Sequence, residues 1–410
     1  MEIVRSDILV VGAGPAGATL ALHMAAKGYD VIVVDKEKFP RAKICGDALG
    51  GKAVTVLKRL PGNLFAEFLT LPGLHPSRGI RFTAPAGISA DIFFPPGSGP
   101  TNEAPGFTLP RHEFDGFLAR QLRLHPNIRF YEGEKVRLVG TGPGYACAFT
   151  DQREYRAHML TGADGSRSVT RRALPGLPSG EDHSCLGFRA YYRNVGWSAP
   201  DHLIELYFQK RLLPGYFWIF PIAGGLFNVG LGMPMRILRR RKINTMNLFR
   251  SLITEDPYLA PMFREASPAG QPGAGLLPLG SQGDRCSGNR ILLLGDAASL
   301  VDPFTGEGIG NAMASGETAA EIAAKAMMAG DFSAGFLSAY DKRIIQRMGG
   351  DFRTLSAIQR LAGNGPLFNF VVRKARANEE VRNLLQSMYT NGSIMKKLTR
   401  PAFYLSLLTR

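Results

Sequence analysis

The N-terminal segment from Asp7 to Asp35 constrains the fold more than any other part of the chain. It reads as an apolar strand, a glycine-rich turn, a helix and a second apolar strand that ends in an acid. In this pattern Gly12 makes the tight turn, Gly14 lets the backbone approach a pyrophosphate, and Gly17 lets the helix pack on the sheet. The helix N-terminus offers unpaired N–H groups to phosphates, and Asp35 stands where a ribose-binding acid is expected. The segment therefore predicts a dinucleotide site.

The later segments indicate that this nucleotide-binding domain is interrupted. Residues 72–107 carry many prolines and glycines between short β-like pieces, and residues 186–234 alternate as an antiparallel sheet does. Residues 290–298 form another apolar strand, which ends in Asp296. We therefore predict an α/β fold with a discontinuous Rossmann-type domain, an inserted antiparallel-sheet substrate domain and a C-terminal helical segment. The predicted boundaries are 1–75, 106–182 and 285–330 for the first domain, 76–105 and 183–284 for the second, and 331–410 for the helical segment.

Smaller elements are also predicted from local pattern. We expect a helix over 52–60, a strand over 135–139, a basic helical stretch over 237–254 and a Gly/Pro/Ser-rich linker over 266–288.

Charge and composition limit the classes of partner. The chain has 410 residues and a formal net charge of +15. It carries no nucleic-acid-binding motif, so we expect no nucleic-acid partner. The positive charge suits a solvated surface or attraction to anionic lipid, and both alternatives stay open. Because no apolar run is long enough to cross a bilayer and no signal segment precedes the first strand, we expect a cytoplasmic protein, with peripheral contact to the inner face of the membrane as a possibility.

Cysteine spacing argues against metal and disulfide chemistry. Cys45, Cys147, Cys185 and Cys286 are scattered and form no C-x-x-C pair. We therefore expect reduced thiols and no metal site.

Several separated motifs together resemble one family. The βαβ unit at 7–35, the Ala-Asp-Gly at 163–165 with Arg167, and the Gly-Asp segment at 294–312 are similar to FAD-dependent oxidoreductases of the hydroxylase-like group. Residues 43–49 resemble the Cys-Gly loop of geranylgeranyl reductases, although Asp47 stands where some members have glycine. Residues 214–221, followed by 228–232, resemble their Tyr-x-Trp-x-Phe-Pro signature. The resemblance covers roughly residues 1–330.

The resemblance implies FAD as the cofactor and saturation of carbon–carbon double bonds in an isoprenoid chain on a lipid or quinone. Reduced FAD would supply a hydride, and a general acid would supply a proton. A second GxGxxG is absent, so the electron donor stays open between NAD(P)H and a small redox protein. The implied FAD-binding residues are Gly12, Gly14, Ala16, Gly17, Asp35, Lys36, Cys45, Gly46, Arg111, Val136, Asp164, Asp296, Gly306, Gly308 and Ile309.

Three residues are the catalytic candidates, each with a structural alternative. Cys45 is a candidate proton donor or polar group near the flavin, or else a small buried residue. Tyr216 and Trp218 lie two apart on a predicted strand and share a face, so they line an apolar tunnel or pack in the sheet core.

Two of the implied FAD-binding residues also have structural alternatives. Arg111 has the alternative of a solvated helix-start arginine, and Asp164 that of an acid in a tight turn. Glu307 is given no role.

Two rival functions remain. One is a flavin monooxygenase or halogenase on the same fold, for which Lys52 is a weak candidate for the halogen-activating lysine. The other is a non-catalytic flavoprotein that binds a lipid. The basic segment 364–410 suits an amphipathic membrane surface or a helical cap on the FAD domain.

Overall fold

The computed structural model describes residues 1–94, 104–174, 183–197, 199–200, 202–280, 285–348 and 352–390. Its strands are β1 (Glu2–Val11), β2 (Val31–Asp35), β3 (Ala48–Leu49), β4 (His75–Ser77), β5 (Gly79–Thr83), β6 (Ser89–Phe93), β7 (Gly106–Thr108), β8 (Ile128–Glu132), β9 (Leu138–Gly142), β10 (Tyr145–Phe149), β11 (Arg153–Gly162), β12 (Ser184–Arg193), β13 (Leu203–Tyr207), β14 (Tyr216–Ile222), β15 (Leu226–Pro234), β16 (Ser267–Pro268), β17 (Gly273–Pro278), β18 (Ser287–Gly288) and β19 (Ile291–Leu293). Its helices are α1 (Pro15–Ala25), α2 (Gly51–Leu57), α3 (Leu64–Leu69), α4 (Arg111–Leu124), α5 (Val169–Arg172), α6 (Met235–Arg240), α7 (Thr245–Glu255), α8 (Ile309–Ala329), α9 (Ala334–Leu337), α10 (Ala339–Arg347), α11 (Phe352–Ala362), α12 (Gly365–Ala377) and α13 (Glu379–Thr390).

The first sheet is the nucleotide-binding sheet expected from the opening motif. Its order is β18-β19-β11-β1-β2-β8, with the β9–β10 hairpin attached to β11. β1 lies parallel to both β2 and β11, and every residue of β2 is buried, as in a sheet covered on both faces. The carboxyl ends of β1, β2 and β11 therefore meet at one edge, where Gly12, Asp35 and Ala163 lie side by side.

The second sheet gathers strands from both sides of the first. Its order is β16-β12-β15-β14-β13-β5-β6, with β17 also paired to β12. All its pairs are antiparallel except β13 with β5. This parallel pair arises because β5 and β6 enter from residues 72–107 rather than from a local hairpin. The α/β fold with an added, mostly antiparallel sheet is confirmed.

Two further groups of elements adjoin these sheets. The small sheet β3-β7-β4 lies between them, and the Thr108 hydroxyl donates to the carbonyl of Pro221 on β14. At the far edge of the second sheet, α12 and α13 pack on β6 through Val372, Ala375 and Val381. The C-terminal helices therefore cover one end of this sheet.

Several local expectations were wrong. The first helix after the cysteine loop ends at Leu57, and the strand expected at 135–139 begins at Leu138. The basic stretch 237–254 forms two helices, because Lys242 takes a left-handed conformation (φ 51°) and the Asn244 side chain caps α7. The expected linker over 266–288 contributes three short strands, β16, β17 and β18. Of these, β17 pairs with β12 and so extends the second sheet.

Residues 391–410, which carry four of the predicted basic tail residues, lie outside the described residues. Among the described helices, none has the length and apolarity needed to span a bilayer.

Candidate active site

The glycine turn after β1 leaves one backbone face open. Gly12 has φ 103°, and a Cβ there would lie 2.4 Å from the carbonyl oxygen of Ala163. A Cβ at Gly17 would lie 1.9 Å from the carbonyl oxygen of Gly12, so α1 could not pack against the turn. A Cβ at Gly14 would lie 3.8 Å from its nearest described neighbour, Nη2 of Arg41. Because α1 has no side-chain cap and no acid in its first turn, this open N-terminus fits an anionic pyrophosphate.

The expected ribose-binding acid lies at the end of β2. The Asp35 carboxylate accepts hydrogen bonds from the N–H groups of Ala13 (2.7 Å) and Glu37 (2.9 Å). Burial raises its pKa, although these two bonds oppose the shift. Lys36 is exposed and lies 3.6 Å from the Glu37 carboxylate, while Val136 is buried. Direct FAD contacts by these residues remain predictions.

A second glycine turn forms before α8. Asp302 shapes it by accepting from the N–H groups of Phe304 (2.8 Å) and Thr305 (3.0 Å), and Gly306 has φ 71°. Gly308 precedes α8, a helix of 21 residues that starts at Ile309 with no acid in its first turn. Its open N-terminus fits the electron-rich pyrimidine end of a flavin.

Asp296 lies between the two turns. Lys43 reaches across from the cysteine loop, with Nζ 3.3 Å from Oδ2 of Asp296. Ala16, in the first turn of α1, packs against Gly295 beside it. The chain thus presents two open helix N-termini with an acid between them, an arrangement that suits one long dinucleotide.

Asp164 has a local structural role. Its carboxylate accepts from the Ser168 hydroxyl (2.5 Å) and from the N–H groups of Val169 (2.7 Å) and Thr170 (3.1 Å). It therefore stabilises the start of α5. Its contact with FAD remains a prediction.

Arg111 is buried, so its alternative as a solvated arginine was wrong. Its side chain is 4% exposed and binds Asp115 through two hydrogen bonds of 2.8 Å. Arg41 binds the same carboxylate at 2.8 Å. The Arg111 guanidinium also lies near the half-buried Cys45 side chain. Although burial opposes it, these two partners raise the pKa of Arg111 above its ordinary value.

Asp47 ties the cysteine loop to the second sheet. It is fully buried, and its Oδ2 accepts from the Tyr191 hydroxyl (2.5 Å) and from Nδ2 of Asn228 (2.7 Å). The same Asn228 amide donates to the carbonyl of Cys45 (2.8 Å) and accepts from Nε1 of Trp218 (2.9 Å). Burial raises the pKa of Asp47, while the bonds from Tyr191 and Asn228 oppose the rise. The network fixes the cysteine loop (residues 43–49) relative to β14, the strand that carries the Tyr-x-Trp-x-Phe-Pro signature.

Sequence reasoning assigned no role to Asp47, Asn228 or Tyr191. Asp47 and Asn228 stand within the quoted motifs, and for Asn228 the signal was a polar side chain inside an otherwise apolar strand pattern. Such a residue needs a partner when it is buried.

The aromatic residues of β14 form a continuous face. Ring centroids of Tyr216 and Trp218 are 6.4 Å apart, and those of Trp218 and Phe220 are 6.1 Å apart. The Tyr216 hydroxyl donates to the carbonyl of Thr305, and a Cβ at Gly46 would lie 3.1 Å from the Phe220 ring. The cysteine loop, β14 and the turn before α8 therefore converge on one place.

An apolar cavity of about 80 Å³ adjoins this place. Its wall includes Phe304 from the turn, Phe82 from β5, and Phe368 and Val372 from α12. Tyr216 and Trp218 belong to the neighbouring aromatic cluster and do not line this cavity. Both rings are part of the packed aromatic cluster beside the cavity.

Lys52 is held by two oxygen atoms beside α8. Its Nζ donates to Oδ1 of Asn311 (3.0 Å) and to the carbonyl of Met348 (2.9 Å). The neighbouring Glu307 carboxyl is buried; burial raises its pKa, and the charge of Lys52 opposes the rise. Lys52 thus has a structural role between α2, α8 and the end of α10.

The described residues contain no group of histidine, cysteine and acidic side chains that could hold a metal ion. All four cysteines are free thiols.

Comparison with known proteins agrees with this geometry. The model of the FAD binding domain family matches residues 5–195. The chain is 34% identical over 328 residues to the menaquinone reductase of Mycolicibacterium smegmatis. This alignment covers 78% of this chain and 76% of the reductase. It is 30% identical over 349 residues to digeranylgeranylglycerophospholipid reductase 1 of Methanopyrus kandleri, covering 82% and 85% of the two chains.

Solved structures share the fold. A geranylgeranyl bacteriochlorophyll reductase-like protein from Thermoplasma acidophilum superposes with a TM-score of 0.78 at 21% identity, over 94% of this chain and 96% of that one. Flavin-dependent halogenases also superpose, at 20% identity or less, and this likeness concerns the fold alone. The relatives with substantial sequence identity are reductases, so the halogenase alternative fits less well, and the chain is an FAD-dependent oxidoreductase rather than a non-catalytic carrier. The chain belongs to the geranylgeranyl reductase family of FAD-dependent oxidoreductases.

Proposed function

We propose that this enzyme saturates carbon–carbon double bonds of an isoprenoid chain carried by a lipid or a quinone. The observation that carries the proposal is the convergence of the cysteine loop, the aromatic face of β14 and the turn before α8 beside an apolar cavity. The names of the two relatives support it, since one concerns a quinone and the other a geranylgeranyl lipid.

The residues divide into cofactor-holding and substrate-facing groups. In this proposal Gly14 and the start of α1 hold the pyrophosphate of FAD, Asp35 the ribose, Asp296 the ribityl chain, and the turn at Gly306 the pyrimidine end. Bound FAD supplies the hydride. We assign the first domain to 1–75, 106–182 and 285–330, and the substrate domain to 76–105 and 183–284.

Cys45 is the proposed proton donor. The Arg111 guanidinium lies near its side chain and carries a permanent positive charge there. Asp47 and Asn228 are positioning residues, because they hold the backbone of the cysteine loop. Tyr216 and Trp218 would exclude water from the reacting double bond.

An anaerobic single-turnover experiment tests the proposal. The FAD-loaded enzyme is reduced with dithionite and mixed with geranylgeranyl lipids or menaquinone, and flavin absorbance and product mass are followed. We expect flavin reoxidation with two hydrogens added per double bond. Cys45→Ala should slow this step by about a hundredfold, within the usual range for a general acid, while FAD stays bound.

The contrary result is also specific. If the flavin stays reduced until air enters, and oxygen or halogen then appears in a product, a monooxygenase-type function replaces this one. Tyr216→Phe is the companion variant, because it removes only the hydroxyl that donates to Thr305.

The electron donor and the membrane contact belong to the same proposal. We propose NAD(P)H or a small redox protein as donor, tested by flavin bleaching on anaerobic addition of each.

We also propose peripheral membrane contact, supported by Arg373, Lys374 and Arg376 on α12. Co-sedimentation with anionic vesicles, compared with neutral ones, tests it.

A further inference from the structure

An open cleft lies between the edge strand β6 and the last two helices. It measures about 690 Å³, and its wall includes Arg81 and Asp91 from the sheet and Arg376 and Arg382 from the helices. Arg81 and Asp91 neutralise each other through two hydrogen bonds of 2.7 and 2.9 Å. The charge left in the cleft therefore comes from the two helical arginines.

These two arginines have no acidic partner within the described residues. Arg376 is exposed near the end of α12, and Arg382 on α13 donates through Nη1 to the carbonyls of Ala375 and Arg376, both at 3.1 Å. These bonds fix the Arg382 guanidinium at the backbone of the last turn of α12. The acids at the start of α13, Glu379 and Glu380, do not line the cleft. Because Asp91 is paired with Arg81, the two helical guanidinium groups that line the cleft suit a phosphate, which they can bind through several charged hydrogen bonds.

The cleft adjoins the apolar cavity next to the proposed reaction site. Ala90 on β6 borders both spaces. The cavity wall is almost entirely apolar and reaches from Leu385 on α13 to Phe304 in the turn before α8. A charged mouth that leads to an apolar space matches a molecule with an anionic head and a hydrocarbon chain.

We propose that the Arg376–Arg382 cleft binds the phosphate or diphosphate head of an isoprenoid amphiphile, whose chain enters the apolar cavity toward the flavin. The assignment of the chain rests on the proposed function, whereas the anion site stands on the cleft alone. The cavity of about 80 Å³ is smaller than the ~150 Å³ that holds benzene in an engineered protein core. Helices α11–α13 must therefore move outward when the chain enters.

Binding to the oxidised, FAD-loaded full chain tests this site without turnover. The probes are geranylgeranyl diphosphate, the neutral alcohol geranylgeraniol and inorganic diphosphate, each followed by calorimetry at two salt concentrations. We expect the diphosphate lipid to bind at least tenfold tighter than the alcohol, and inorganic diphosphate to compete weakly. Arg376→Gln and Arg382→Gln should each weaken the diphosphate lipid about tenfold, the value of one charged hydrogen bond, and leave the alcohol unchanged.

Arg373→Gln is the matched control, because it removes an equal charge from the same helix outside the cleft. An equal loss in this control would replace the site by a diffuse basic surface. Equal affinity for lipid and inorganic diphosphate would leave only a free-anion site. If Arg376→Gln weakens binding to phosphatidylglycerol vesicles but not to the soluble diphosphate, the surface binds membrane and the headgroup site is overturned.

The two proposals fail separately. If arginine-dependent binding is found but no isoprenoid is reduced, the proposed function fails and the anion site stands. If the alcohol and the diphosphate are reduced with equal KM in wild type and in both variants, the reductase stands and the headgroup site fails.

Discussion

At the scale of single residues, Asn228 holds the candidate site together. Its amide accepts from Trp218, and donates to Asp47 and to the backbone of Cys45. It is fully buried. One side chain therefore links the signature strand, the cysteine loop and a buried acid.

Truncation of Asn228 should destabilise the fold as well as the site. Asn228→Ala leaves the Trp218 N–H without its acceptor and removes one donor from the Asp47 carboxylate. We expect a loss of about 2–4 kcal/mol in the free energy of unfolding, from urea titration of the FAD-loaded protein. Asn247→Ala, at an exposed position on α7, is the control. A difference between the two variants below about 0.5 kcal/mol would contradict the assigned role.

Sequence alone predicted the glycines of the first turn better than this polar network. Gly12 and Gly17 follow from local geometry, because the turn and the helix that need them are neighbours in sequence. Asp47 and Asn228 are 181 residues apart, and they meet only when the second sheet docks on the first. A pairing of that kind has no local signal.

At the scale of elements, α1, α8 and α10 meet at a half-buried histidine. His23 on α1 lies 4.0 Å from Glu317 on α8, which in turn pairs with Arg347 on α10. Burial, with the charges of Lys27 and Arg347, lowers the pKa of His23 from 6.5 to about 4. The histidine is therefore neutral in the folded protein at pH values where the unfolded chain is protonated.

This difference predicts acid sensitivity of the helix packing. Between pH 6.5 and 4 the unfolded state binds more protons, so stability is fully present above pH 6.5 and falls as the pH drops toward 4. We expect the His23 contribution to fall by about 2 kcal/mol between pH 7 and pH 5 in urea unfolding. His23→Gln should remove that part of the pH dependence, whereas His112→Gln, at a half-exposed position, should leave it intact. Parallel pH profiles for wild type and His23→Gln would refute the prediction.

Element types were more predictable than element partners. The alternation of 186–234 indicated strands correctly, because half-buried strands alternate wherever they pair. The parallel pairing of β5 with β13 depends on a chain excursion more than 100 residues earlier, which periodicity does not record. The break at Lys242 in the basic stretch depends on a single left-handed residue, and its composition remained helical on both sides.

At the scale of the whole molecule, the C-terminal helices complete a surface that the FAD domain and the second sheet leave open. The ring centroids of Phe208, which follows β13, and Phe368 on α12 are 4.3 Å apart. Helix α12 thus closes the cavity over β6. The sequence matched no known motif in this region, so its contribution to the site became visible only from the fold. The cavity thus depends on three parts of the chain that are distant in sequence.

A filled cavity should separate long substrates from short ones. Val372 is buried in the cavity wall, and Val372→Phe would occupy apolar space without adding a polar group. Filling a void should hold or raise the free energy of unfolding, by up to about 1 kcal/mol in urea titration. If the proposed path for the isoprenoid chain is correct, the variant should raise KM for geranylgeranyl diphosphate about tenfold and leave KM for the shorter geranyl diphosphate unchanged. The short substrate is the internal control for general damage to the site. Equal changes for both substrates in a stably folded variant would mean that the chain does not enter between β6 and α12, and that the cavity serves packing alone.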